Sequence, residues 1–79
     1  MKIAWIKYDK ESNFEKLEEL GFNIVKLHNL EELDNTDQKI DELIRKDYNT
    51  IVITNQVAGY SENIIDKYSK MENIRIIIV

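Results

Sequence analysis

Residues 50–54 read Thr50-Ile51-Val52-Ile53-Thr54. Three consecutive β-branched aliphatic side chains with no polar alternation describe a strand covered on both faces, the kind found in the middle of a parallel sheet. Upstream, Lys2 to Tyr8 (Lys-Ile-Ala-Trp-Ile-Lys-Tyr) is apolar on both parities and reads as a second doubly covered strand. Phe22 to His28 is a shorter strand whose interruption by Asn23 and Lys26 suits an edge. Ile74 to Val79 (Ile-Arg-Ile-Ile-Ile-Val) is the fourth and last strand.

The segments between these strands carry helical spacing. Ser12-Asn13-Phe14-Glu15 fits a capping box, with Phe14, Leu17 and Leu20 inward and Gly21 as the left-handed terminator, which predicts a helix over 12–20. Glu11, Glu15, Glu18 and Glu19 then fall on its solvated side. Asn29 caps one helical turn through Leu33, and a second helix runs from Asn35 or Thr36 to Lys46 with Ile40, Leu43 and Ile44 inward. Gln56 to Gly59 form a turn or short helical piece. Ser61 caps a third helix whose inner stripe is Ile64, Ile65, Tyr68 and Met71. Strands alternating with helices imply right-handed crossovers. The expected fold is α/β, a three-layer sandwich with a four-stranded parallel sheet in the order 2-1-3-4 and three helices, forming a single domain over residues 1–79.

Composition narrows the function classes. The chain has no cysteine and one histidine, which excludes disulfide and zinc frameworks. Its 43% hydrophobic and 33% charged residues are the balance of a soluble globular domain rather than a disordered one. No apolar run approaches the roughly 20 residues that span a bilayer, and lysines break the opening segment where a signal peptide would be apolar. The expectation is a cytoplasmic protein without membrane insertion. A net charge of −4 argues against nucleic acid as partner, since Lys7, Lys10, Lys26, Lys39 and Lys46 are interleaved with acids.

In an open doubly wound sheet a ligand site lies beyond the strand carboxyl ends where the strand order reverses. Here that crevice falls between the first and third strands, lined by Tyr8, Asp9 and Lys10 on one side and Thr54, Asn55 and Gln56 on the other. A phosphate site there needs glycines, and the chain has only Gly21 and Gly59. A phospho-receiver needs an aspartate at the end of the third strand, where Thr54 and Asn55 stand. His28 has no Cys or second His beside it and reads as exposed. The pair Asp37 and Asp41, at i and i+4, reads as a solvated helix face. Trp5 is a packing residue and Tyr8 is half exposed. No catalytic residue, metal ligand or cofactor is therefore expected. The last strand is almost purely aliphatic, so Ile74, Ile76 and Ile78 are candidates for a surface covered by a partner or by a second copy.

The stretch Asp47-Tyr48-Asn49-Thr50-Ile51-Val52-Ile53-Thr54-Asn55-Gln56-Val57-Ala58 resembles the third-strand region in the family of F subunits of the V-type (archaeal/vacuolar-type) ATP synthases. Ser61 to Tyr68, Ile74 to Val79 and the opening Met-Lys-Ile-Ala are similar to that family's next helix, its final strand and its start. The resemblance implies a non-catalytic four-stranded α/β domain of the central rotor stalk, which binds another protein of the stalk and modulates the coupled ATPase in ATP synthesis and ion transport. Two departures accompany it. Lys7-Tyr8-Asp9 stands where the family has a Gly-Asp pair, and the family's C-terminal helix has no counterpart here, which suggests a shortened stand-alone relative. The expected function is a protein-interaction domain, with a rotary ATPase stalk protein or a homodimer through the fourth strand as partner. The alternatives are a small-ligand or sensory domain using the crevice and a self-associating module.

Overall fold

A computed structural model describes all 79 residues. The elements run β1 (Ile3–Tyr8), α1 (Glu15–Glu19), β2 (Ile24–Leu27), α2 (Leu30–Asp34), α3 (Thr36–Arg45), β3 (Thr50–Ile53), α4 (Asn55–Ala58), α5 (Ile64–Ser69) and β4 (Arg75–Ile78). The four strands form one parallel sheet in the order β2-β1-β3-β4, as the alternation of elements requires. The short turns after Asn29 and Thr54 are helices in their own right, which raises the helix count to five.

The register defines two faces of unequal cover. Ala4 pairs with Ile51 and Ile51 with Ile76; Ile6 pairs with Val25 and Ile53, and Ile53 with Ile78. These residues share one face with Tyr8 and Leu27. The main core lies on it, joining Ala4, Ile6, Leu27, Ile51 and Ile53 to Leu33 of α2, Ile40 and Leu43 of α3, and Val57 of α4. Tyr8, Ile44, Tyr48, Ile64, Ile65 and Ile76 pack around it. We call this the inner face. The outer face carries Ile3, Trp5, Lys7, Ile24, Lys26, Thr50, Val52, Arg75 and Ile77, and none of these belongs to that core.

Only α1 lies on the outer side, tied there by the ion pair between Glu18 and Lys26. It is five residues long with none of them buried. The Trp5 ring meets Phe22 edge to face, with centroids 5.2 Å apart, and this small cluster ends the cover. The expected third layer is thus limited to α1 beside β1 and β2. Over β3 and β4 the outer face carries no helix.

Helix termini follow local chemistry in most places. Asn29 Oδ1 accepts the Glu32 N–H at 2.9 Å and caps α2; Thr54 Oγ1 accepts the Val57 N–H at 3.3 Å and caps α4. After α1, Gly21 takes φ +92°, and the N–H groups of Gly21 and Phe22 return to Glu18 and Leu17, a Schellman closure. Asp47 makes the same closure after α3 at φ +71°, with Asp47 and Tyr48 bonded back to Ile44 and Leu43.

Three local expectations are corrected. The Ser12–Glu15 capping box does not form: α1 starts only at Glu15, after Phe14 in the left-handed region, with no side-chain cap, because Glu11 is drawn back to the sheet and turns the chain. Leu20 and Met71 are exposed, at 74% and 43%, rather than inward, since each lies at the end of a short helix, past the layer it would pack on. At α5 the formal cap position is Asn63, without a side-chain bond. Ser61 Oγ instead accepts the Ile65 N–H at 3.3 Å. No helix is long and apolar enough to cross a membrane.

Asp47 holds a left-handed conformation that costs a non-glycine residue roughly 1 kcal/mol. Asp47→Gly is expected to stabilise the domain by about 0.5–1 kcal/mol, read as a higher urea midpoint at unchanged slope. A lower midpoint would show that the Asp47 side chain contributes more than its backbone strain costs.

Candidate functional site

The crevice at the strand-order reversal is built by the carboxyl ends of β1 and β3. Thr54, at 1% exposure, lies at its floor, and its N–H extends the ladder to Ile6 O at 3.2 Å. Tyr8 is half-buried against the core. Asp9, Lys10, Asn55 and Gln56 are exposed around the rim. The residue that joins the two strands is Glu11. Its Oε2 accepts the Tyr8 N–H at 2.9 Å and the Thr54 hydroxyl at 2.8 Å.

Glu11 is thus a correction to the expectation of a solvated glutamate. A backbone N–H and a hydroxyl converging on one carboxylate oxygen are the groups an open site would offer to a bound anion. In this chain its own side chain takes them. The Glu11 carbonyl is engaged as well, accepting Lys7 Nζ at 2.6 Å. Lys7 is only 4% exposed, so this bond supplies an acceptor to an ammonium group held away from water. The four surface concavities of the molecule all lie elsewhere.

The remaining polar candidates resolve into structure. His28 is exposed on the rim, with Nδ1 3.7 Å from the exposed Asp9 carboxylate, while its N–H donates to Glu32. Asp37 and Asp41 do not form a solvated face; they fasten α3 to α5. Asp37 accepts the Ser61 hydroxyl and the N–H groups of Glu62 and Asn63 at 3.0 and 3.1 Å, capping the start of α5 from another element. Asp41 accepts the Tyr68 hydroxyl at 2.6 Å and pairs with Arg45 at 2.8 Å. The signal for this was present in sequence: a largely apolar tyrosine packed inward needs a partner for its hydroxyl. No group of three or more His, Cys, Asp or Glu side chains is arranged to hold a metal ion.

The last strand divides by parity. Ile76 and Ile78 point to the inner face, beside Ala58 and Ile65, where an open concavity of ≈ 430 Å³ separates α5 from the sheet edge. Ile74 is half-buried at the opposite end. Ile77 and its neighbour Val79 point the other way and are 38% and 52% exposed, while Ile78, at the open end of the inner face, is 49% exposed. With Ile3, Trp5 and Val52, Ile77 and Val79 make an apolar outer surface that the choice of Ile74, Ile76 and Ile78 left out. Period-2 alternation separates the two sets, but an all-aliphatic strand gives no sign of how far either is covered, and of Ile76, Ile77, Ile78 and Val79 only Ile76 is half-buried.

Two outcomes follow. Glu11→Ala removes the acceptor of two bonds at the junction of β1 and β3 and is expected to cost about 1–3 kcal/mol in chemical denaturation; a change below about 0.5 kcal/mol would show that water replaces the carboxylate without loss. The second concerns pH. Burial pushes the Asp37 carboxyl up, but the Ser61 hydroxyl and the N–H groups of Asn63, Glu62 and Ile64 outweigh it and hold the group below the ordinary aspartate value. The Tyr68 hydroxyl, then Arg45, lowers Asp41 in the same direction. A folded value below the unfolded one gives stability that is complete above about pH 4 and lost as pH falls through the folded value. Urea midpoints measured from pH 6 to pH 3 are expected to fall in the native chain and to fall less steeply in Asp37→Asn.

No family model, curated protein or solved structure matches the chain, and the functional reading rests on these geometries and on the resemblance carried by residues 47–68.

Proposed function

We propose that this chain is a non-catalytic protein-interaction domain that binds a protein partner on the uncovered outer face of its sheet. The observation that carries the reading is the apolar surface of Ile77 and the half-buried Ile3, Trp5 and Val52, continuous with the exposed Val79 and with no helix over β3 and β4. A parallel sheet is stable when both faces are covered, and apolar surface grouped in this way on a folded domain is characteristic of an interaction site. Arg75 stands at the end of this surface, exposed and without a carboxylate of its own chain among the ion pairs. An amphipathic helix laid across β3 and β4, with a carboxylate near Arg75, has the chemistry that fits. The Glu11 carboxylate already seated at the strand-order reversal weighs against a small anionic ligand there.

The specific form of this proposal is a partner from a rotary ATPase stalk, supported by the resemblance of residues 47–68 to the F subunits of V-type ATP synthases. The cytoplasm is the compartment that goes with it. Capture with the tagged full chain from its native source tests both levels. The native chain is expected to retain a partner that Val52→Lys releases, at unchanged circular dichroism. A partner indifferent to Val52→Lys would overturn the outer-face proposal, and a Val52-dependent partner from outside the stalk would remove the ATPase form alone.

A further inference from the structure

The edge of β4 offers a second surface, and its backbone shows what fits it. Arg75 and Val79 donate their N–H groups to Asn49 and Ile53 of the neighbouring strand at 2.9 and 3.0 Å, and Val79 O accepts from Asn55 at 2.8 Å. Alternate residues of a parallel strand point their backbone groups to the same side. Arg75, Ile77 and Val79 therefore face β3, and the N–H and C=O of Ile76 and Ile78 face outward. β4 is the end strand of the sheet, so no strand of the chain receives these four groups.

From this we infer that β4 pairs antiparallel with β4 of a second copy, across a two-fold axis at Ile77, to form a continuous eight-stranded sheet. The inference rests on the interaction-domain reading and adds an edge contact to its outer-face contact. The register is fixed by the free groups. Only a pairing of Ile76 with Ile78 of the second copy, and of Ile78 with Ile76, uses all four groups on each chain, giving four hydrogen bonds. Ile76 meets Ile78 of the second copy and Ile78 meets its Ile76, the reciprocity of an isologous contact. At the axis the two Ile77 side chains meet as a non-hydrogen-bonded pair, with Cα atoms about 4.5 Å apart.

Helix spacing agrees with this register. α5 packs against β4 on the inner face, bridging the β3–β4 connection. With strands about 4.8 Å apart, the two copies of α5 come roughly 10 Å apart, near the 8–10 Å of ordinary helix packing. The concavity beside Ala58, Ile65, Ile76 and Ile78, which Glu62 and Asp66 also line, is the space they would close. Asp66, the acid nearest the axis on α5, is paired with Lys70 of its own helix at 3.4 Å. The two Arg75 side chains fall four residues apart along the pair, about 13 Å, beyond the Debye length of about 8 Å at physiological ionic strength. Roughly a dozen residues a side is about half of a standard interface, which makes this a weak, concentration-dependent dimer. The pairing leaves the outer face open and doubles its width for the proposed partner.

Sedimentation of the full chain from about 10 µM to 1 mM tests the inference. The expected result is a weight-average mass that rises from that of one 9.4 kDa chain toward twice that value. Amide exchange at Ile76 and Ile78 should slow over the same range. Ile78→Pro removes an N–H that the monomer does not use, at an edge position that tolerates proline, and is expected to weaken the dimer at least tenfold with unchanged circular dichroism. Val52→Lys, on the outer face, is expected to dimerise normally, which separates this contact from partner binding. A monomer at 1 mM, or a dimer whose Ile76 and Ile78 amides stay unprotected, would overturn the inference.

Discussion

The handedness of the strand connections governs the rest of this structure. Parallel strands joined by right-handed crossovers place each connection on a face set by the direction of travel across the sheet. From β1 to β2 the chain moves one way; from β2 to β3 and from β3 to β4 it moves the other. Helices α2 to α5 therefore collect on the inner face, and α1 alone reaches the outer one. The core around Ile6, Ile51 and Ile53 is dense because α2, α3 and α4 contribute buried residues to it and α5 packs against it. The partial exposure of Val52 and Ile77 on the other side has the same cause.

Much of this was legible in the sequence. Thr50 to Thr54 announced a central strand by its unbroken aliphatic run, and Asn23 and Lys26 marked β2 as an edge. Asn29 and Gly21 are local signals whose effect spans a few residues, and both act where their chemistry predicts. What sequence could not supply were bonds closed by the fold. Ser12 and Glu15 have the spacing of a capping box, yet Glu11 is pulled 43 residues along the chain to Thr54 and takes the helix start with it. Asp37 and Asp41 look solvated on their own helix until α5 arrives against them. A hydrophobic pattern shows which residues avoid water in one element, and says less about whether another element will cover them. Leu20, Met71 and Ile77 are the residues where that difference falls.

The crevice and the sheet edge illustrate opposite uses of the same backbone chemistry. At the carboxyl ends of β1 and β3 an N–H and a hydroxyl that could receive an anion are satisfied by Glu11, and Lys7 fastens the same residue through its carbonyl. That end of the sheet is closed by its own side chains. At β4 the free groups of Ile76 and Ile78 are surrounded by aliphatic side chains, with no proline and only Arg75 as a charge to discourage pairing. At the first place the free polar groups are satisfied within the chain, and at the second they are left at the sheet edge.

The central claim is that the outer face over β3 and β4 is open in the isolated chain. Methyl relaxation by a dissolved paramagnetic probe, measured on dilute protein, reads it residue by residue. The account predicts strong relaxation at Val52 and Ile77 and almost none at Ile51 and Ile53, which flank Val52 in sequence and lie buried on the inner face. Equal protection of both sets would contradict it.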